Sequence, residues 1–415
     1  MRVIVTHPGT QHAFRLAAEL SRLGLLEMFW TGFAYPADSR LGRFLRTSIP
    51  SAGIRRKLSS RALAGVPSAK LRCLASVELW ALLWKSWLGG GEELYWRRNA
   101  AFQRGIPDAV LAGADAVVGF DTASWILAKR CGALGIPFIL DQSIAHPLAR
   151  ERLHQTLAES YPDWSDTYQV RRADVLAGER EEHAQAKRIV VASTFTRRTL
   201  IEHGVGGAKI RVNPYGVDLE RFRMGDRDAA NRPLRFIFVG ALQARKGLPL
   251  LLEAWRRLKS SDAELRLVGP AAPDVRKLIP GLPGLSVRGS VPNSELPRLF
   301  ADCDVFVFPS LFEGFGLVIL EAMASGLPAI TTEATGGPDF ISEGRDGFLV
   351  PAGDVDALEA KMRWCIENRG SLAEMGAAAR TTAERFTWGA YGERWAEILE
   401  GAIDLTSAPQ KYDSA

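Results

Sequence analysis

Glu313 and Glu321 stand eight residues apart across Gly314-Phe315-Gly316, within the stretch Pro309 to Pro328, PSLFEGFGLVILEAMASGLP. One carboxylate falls in a loop and the other about one turn into a helix, so the two can meet hydroxyl groups on different parts of one ligand. A sugar and a ribose would fit. Gly314 and Gly316 let the backbone approach such a ligand closely, and the amides that open a helix suit a phosphate. The spacing by itself is equally compatible with two solvated glutamates on a glycine-rich turn.

The flanking sequence says what must hold these groups. Asp304-Val-Phe-Val-Phe308 is an apolar run of strand length, and Leu317 to Ser325 has helical composition and stops at Gly326. Strand, loop and helix in that order place the pair at the carboxyl end of a strand, where open parallel sheets bind ligands. The same alternation runs through the chain. In the first half it predicts strands at Val3–Val5, Ala116–Phe120, Phe138–Leu140 and Arg188–Ala192, with helices at Phe14–Leu23, Ser124–Leu134, Arg172–Lys187 and Thr194–Gly204. In the second it predicts strands at Phe236 and Glu264–Val268 and helices at Leu248–Leu258 and Ser294–Phe300, ahead of the glutamate segment. Such alternation means parallel α/β sheets. The expected division is a first domain over 1–220, a polar linker over 221–231, a second domain over 232–390 and a polar, disordered tail over 406–415.

A chain of 415 residues, 47% hydrophobic and 24% charged, suits two soluble globular domains. Cys73, Cys131, Cys303 and Cys365 lie far apart without CxxC or CxxH spacing, which argues against a zinc site or a disulfide framework. No apolar run reaches about 18 residues and the N-terminus reads as a strand, so a cytoplasmic protein is expected. The net charge of +5 is unevenly spread: Arg40 to Arg72 holds nine basic residues and no acidic one. Just beyond it come Trp80, Trp84, Trp87, Tyr95 and Trp96 among leucines. This neighbourhood, residues 40–98, suits peripheral docking on an anionic membrane surface. The alternative is that the tryptophans pack internally and the basic run is solvated. Nucleic acid is not an expected partner, because recognition motifs and interleaved aromatics are missing.

The glutamate segment resembles the signature of the retaining glycosyltransferases of family 4, also called group 1. Four further stretches resemble that family in the same order. They are Asn213-Pro-Tyr-Gly-Val-Asp218, Arg235 to Gly247 (RFIFVGALQARKG), Val287 to Leu296 (VRGSVPNSEL) and Thr335-Gly-Gly-Pro-Asp339. The matches cover most of the second half, while the first half agrees only in outline. The resemblance implies a GT-B fold, two Rossmann-like doubly wound domains facing an interdomain cleft, with a helix at about 391–405 returning to the first domain. It also implies transfer from a nucleotide-sugar donor, most often UDP- or GDP-linked, to a glycan or lipid-linked acceptor in surface polysaccharide or glycolipid synthesis.

Residue by residue, the resemblance gives Lys246 and Arg245 the diphosphate, Glu313 the sugar hydroxyls and Glu321 the ribose. Gly240, Gly314, Phe315, Gly316 and Leu317 would supply backbone around the donor, and Val287 the base pocket. Where many family members carry Arg directly after the glycine of the phosphate strand, this chain has Ala241, which leaves Arg245 as the second cation. His146 is the expected first-domain residue in the cleft, with Asp141 its competitor, although His146 lies a few residues later than is usual. The loop His7-Pro-Gly9-Thr10 resembles the acceptor-facing glycine loop, with one glycine replacing a pair; for His7 and His12, helix capping is the plainer role. Three Asp-x-Asp triplets, at Asp226/Asp228, Asp302/Asp304 and Asp354/Asp356, sit badly for a metal, and Asp354 reads as a helix N-cap. No cofactor or metal is expected. The rival readings are a non-catalytic nucleotide-sugar-binding protein and a sugar-nucleotide epimerase on the same fold.

Overall fold

Every strand of the two main sheets is parallel to its neighbours, as the alternation of apolar runs and helical segments requires. The computed structural model describes residues 1–39, 42, 58–88, 91–167, 172–225 and 232–407. The first sheet has seven strands in the spatial order Leu71–Cys73, Leu26–Thr31, Val3–His7, Ala116–Phe120, Phe138–Gln142, Arg188–Val191, Ile210–Val212. Its central strands are buried along their whole length. The second sheet has six, ordered Leu285–Arg288, Ala263–Val268, Leu234–Val239, Val305–Phe308, Ala329–Thr332, Gly347–Val350. In each sheet the strand order reverses, and the loops that leave the carboxyl ends at the reversal are the natural ligand positions.

Helix bounds differ from the sequence expectation by no more than two residues at either end. Ala13–Arg22, Trp125–Ala133, Ala173–Gln185, Thr194–Glu202 and Leu317–Ala324 are the observed spans. The final helix, Trp388–Ser407, returns to the first domain. Arg394 Nε donates to Asn213 Oδ1 at 2.7 Å, and Asn213 Nδ2 donates to the carbonyl of Tyr391 at 3.2 Å.

The crossing between domains comes earlier than the 221–231 linker. Phe222 is buried, its ring lies 6.1 Å from that of Phe300, and Arg380 Nη1 donates to its carbonyl at 2.7 Å. The second domain has therefore begun by Phe222, and Asn213–Asp218 makes the crossing. Residues 226–231, with Asp226 and Asp228, lie outside the described residues, as do 408–415 of the expected tail and most of the basic run before residue 58.

Asp354 caps its helix as expected, accepting from the Ala357 amide at 2.8 Å. Asp304 is a structural group: it accepts from both Arg232 Nη atoms, at 2.7 and 2.9 Å, and from the Arg235 amide at 2.8 Å. All four cysteines are free. Among the described residues no helix is long and apolar enough to cross a membrane, and no group of three or more His, Cys, Asp or Glu is arranged to hold a metal ion.

Candidate donor site

The cavity begins where three loops of the second domain meet. After the fully buried strand Val305–Phe308 the chain turns through Pro309–Gly316 and enters the helix Leu317–Ala324. Gly316 adopts φ +83° at that entry, a conformation that favours glycine. Backbone bonds fix the loop on both sides. Leu311 N donates to Arg245 O at 2.9 Å, Glu313 N to Ala334 O at 2.9 Å, and Gly336 N to Phe315 O at 2.7 Å. Thus the glutamate loop, the basic loop and the Gly336–Gly337 turn form one unit although about 90 residues separate their ends in sequence.

Gly247 explains why a glycine follows the basic pair. Its φ is +73°, and a Cβ there would lie 1.9 Å from the carbonyl oxygen of Pro309. The bare backbone lets the short helix Ala244–Lys246 press on the glutamate loop, and Lys246 Nζ then reaches Glu313 Oε2 in direct contact. The ammonium also lies 5.2 Å from the Phe308 ring centroid. Burial pulls the Lys246 pKa down and neighbouring Arg245 adds to that, while the touching carboxylate opposes both.

The resulting cavity of about 380 Å³ is lined by Lys246, Glu313, Phe315, Gly316, Leu317 and Glu321, with Val239 to Ala241 and Leu296 from adjoining loops. Ser143 from the first domain and Tyr215 from the crossing segment close it. A second cavity, about 500 Å³, shares the Leu317 and Glu321 wall and opens toward Thr10, Gln11, His12, Arg15 and the strand Ala62–Leu63 of the first domain. A ligand with two ends could therefore span both domains.

Glu321 forms that shared wall. Its carboxylate has no hydrogen-bond partner among the described residues, and burial pushes its pKa up to about 7, with Arg221 acting in the opposite direction. In the unfolded chain this carboxyl titrates near 4.5, so as pH rises the unfolded state releases its proton first. Stability contributed by the neutral acid is therefore complete below about 4.5 and lost as pH climbs to about 7. Glu321→Gln is expected to leave the melting temperature unchanged near pH 4.5 and to raise it at pH 8. The gain should be no more than about 3 kcal/mol, because the carboxylate borders an open cavity. Thermal melts of both proteins across that pH range check it.

Several sequence-expected residues lie elsewhere. Arg245 does not line the cavity: its Nη1 donates to the Phe312 carbonyl and stands 3.7 Å from Glu313, so it braces the loop. Val287 packs on the core behind Leu296 and does not reach the cavity. Gly314 does not line it either, because its Cα faces the first domain. Ser193 Oγ and Thr196 Oγ1 donate to its carbonyl at 2.6 and 3.0 Å.

His146 is likewise not in the cleft. Its Nδ1 accepts from the Leu148 amide at 3.2 Å, capping the helix Pro147–Ser160, and its ring stacks on His203 at 4.4 Å. Burial, then His183 and His203, push its pKa down to about 3, so it is neutral at physiological pH. Asp141 is buried beneath the cleft floor, 3.0 Å from His12 Nε2 and 3.5 Å from the Tyr391 hydroxyl. His7 caps no helix: its Nδ1 accepts from Gly9 N at 2.9 Å, and burial holds its pKa at about 3. His12 occupies an N-cap position without a side-chain cap bond, its ring being turned to Asp141 and to the Tyr215 hydroxyl at 3.2 Å. Of the expected acceptor loop, Thr10 reaches a cavity wall.

Sequence reasoning missed Ser143 and Tyr215 as cavity residues. Tyr215 lay inside the Asn213–Asp218 stretch that carries family resemblance; Ser143 had no signal beyond following a strand end.

The family model described as glycosyl transferases group 1 matches residues 233–368. The sulfoquinovosyl transferase SQD2 of Arabidopsis thaliana is 35% identical over 220 residues, covering 50% of this chain and 43% of that protein. The MMP alpha-(1->4)-mannosyltransferase of Mycolicibacterium hassiacum is 28% identical over 421 residues, 97% of each. Among solved structures, Anabaena HepE in complex with UDP-glucose superposes with a TM-score of 0.64 at 16% identity, over 97% of this chain and all of that one, which shows a shared GT-B fold. The chain spans about half the length of the curated relatives it matches most strongly.

Proposed function

We propose that the chain is a group 1 glycosyltransferase that moves a sugar from a UDP- or GDP-sugar to a glycan or lipid-linked acceptor, with retention of anomeric configuration. The observation that carries this is the convergence of Lys246, Glu313, Glu321 and the backbone at Gly316–Leu317 on one cavity that a first-domain residue closes.

In the transfer, the bond between sugar C1 and the diphosphate oxygen breaks while C1 bonds to the acceptor oxygen on the same face. Negative charge grows on the leaving phosphate, and Lys246 with the helix-start amides stabilises it without reorganising. Glu313 exchanges its contact with Lys246 for hydroxyls of the donor sugar, and Glu321 accepts from the ribose. The first-domain contribution to the donor cavity is Ser143, which is neither carboxylate nor imidazole. That supports the leaving phosphate as the group that takes the acceptor proton. Lys246 supplies a cation within the cavity for the diphosphate, so transfer is expected to persist in chelator.

The testing experiment is thermal stabilisation by a panel of UDP-, GDP-, ADP- and TDP-sugars without metal. One nucleotide class should raise the melting temperature, and Glu321→Ala should abolish the shift. If no class stabilises the protein, the donor assignment is wrong.

A further inference from the structure

Large apolar side chains are exposed unevenly over the molecule. Among the described residues nine are exposed, and five of them lie on two adjoining helices, Ala75–Leu88 and Glu92–Arg104. Leu79, Leu82 and Leu83 are 59%, 64% and 59% exposed, and Trp84 and Tyr95 are 42% and 51% exposed. Positions 79, 82 and 83 share one helix face. The opposite face is fastened: Ala81 is buried, Val77 packs on the core behind the first sheet, and Glu78 pairs with Arg98 at 3.5 Å and Arg61 at 3.7 Å. Rotation of the helix cannot hide the leucines, because it would pull Glu78 from both guanidiniums.

Not every aromatic of this region belongs to the patch. Trp96 stacks flat on Trp125 with centroids 3.4 Å apart, and the Trp80 ring lies 5.5 Å from that of Trp84. Core packing therefore accounts for Trp96, and Trp84, seven residues after Val77, lies toward the fastened side, while the leucines remain outward.

The charge of the two helices and the strand before them is mostly basic, with Glu92 and Glu93 on the second helix beside Arg97, Arg98 and Arg104. Residues 58–88 hold Arg61, Lys70, Arg72 and Lys85 against the single acid Glu78, which is already paired, and Arg72 and Lys85 are exposed. Upstream in sequence the chain from Arg40 adds further basic residues and no acidic one. With 14 residues the helix is too short to span a bilayer and of a length to lie in its interface.

We propose that the Leu79–Leu82–Leu83 face, together with the basic residues of this segment, docks the protein on an anionic lipid surface. The leucines enter the headgroup boundary, and the basic side chains meet lipid phosphates. Arg61, which ties this helix through Glu78, directly precedes the strand Ala62–Leu63 that lines the acceptor-side cavity. Docking would thus bring that cavity to the lipid surface, which makes an acceptor drawn from the bilayer the natural substrate class. That consequence rests on the transfer reading; docking itself is measured without turnover.

The test is co-sedimentation of the full chain with vesicles of phosphatidylglycerol and phosphatidylcholine, and with phosphatidylcholine alone. Binding is expected to the anionic vesicles, several-fold weaker in about 0.5 M salt. Leu79→Asn/Leu82→Asn/Leu83→Asn should lower the vesicle partition constant by about tenfold or more with an unchanged melting temperature. Arg72→Gln/Lys85→Gln should lose much of the preference for anionic vesicles. Should the triple variant fold poorly, Leu82→Ser alone should still show the same direction. Failure of the wild type to bind anionic vesicles, or equal binding by the leucine variants, overturns the proposal. So does a wild-type dimer that the leucine variants dissociate, which would assign the face to a second copy of the chain.

Discussion

With Lys246 replaced by Ala, kcat is expected to fall by about 10²- to 10³-fold, the loss typical of removing one donor aimed at developing negative charge. The ammonium stands in the donor cavity against Glu313 and near the Phe308 ring. It is therefore positioned before any ligand arrives, and the leaving phosphate meets a charge already in place. The variant should fold, because Glu313 keeps Arg245 at 3.7 Å and its loop keeps the backbone bonds to Arg245 and Ala334. Steady-state kinetics with the donor identified by thermal shift would measure it. A raised KM with unchanged kcat would mean that Lys246 binds donor and transition state equally and contributes nothing to the chemical step. Lys246→Arg should rescue little, since the planar guanidinium does not fit the site of a compact ammonium between Phe308 and Glu313.

Gly314→Ala should be nearly as damaging for a different reason. A Cβ at this position would lie 1.9 Å from the Ser143 carbonyl oxygen and 3.1 Å from Ile144 Cα, where real Cβ atoms keep at least 3.0 Å. The obstructing atoms are backbone of the other domain, so no rotamer relieves them. The domains must part by about 1 Å at the mouth of the site, and a displacement of that size costs about 10²-fold in rate. Donor affinity should change little, because Gly314 does not line the donor cavity and its neighbours Glu313 and Gly316 stay on the second domain. Parallel measurements of donor binding and kcat separate this variant from Lys246→Ala, and small-angle scattering should register the opening. Wild-type activity in Gly314→Ala would show that the closed contact is not the reacting arrangement.

The Gly314 contact also shows where sequence reasoning stops. The strand Val305–Phe308, the glycine turn, the helix Leu317–Ala324 and the Asp354 cap were legible because each depends on residues a few positions apart, through periodicity, capping and φ preference. The two glutamates were legible from the strand, turn and helix around them, whereas Lys246 joined them only through the family resemblance of Arg235–Gly247. Their meeting in one cavity follows from the parallel sheet that patterning implies.

Other features had no local signature. His146 and His12 are each single histidines near a helix start, yet one caps a helix within a histidine stack and the other pairs with Asp141. The distinction lies in His203, 57 residues from His146, and in Asp141, 129 residues from His12. Arg245 and Lys246 are adjacent cations, but the helical turn points one at the Phe312 carbonyl and the other into the cavity. By itself the sequence determined two α/β domains and a phosphate-suited glycine loop with its carboxylates, since these arise from neighbouring residues. The tertiary structure alone decided that Ser143 and Tyr215 close the cavity beside Lys246 and Glu313, that Ser193 and Thr196 hold Gly314, and that three leucines face outward. Those outcomes depend on which distant surfaces meet, and burial, hydrogen bonding and steric exclusion act only once they do.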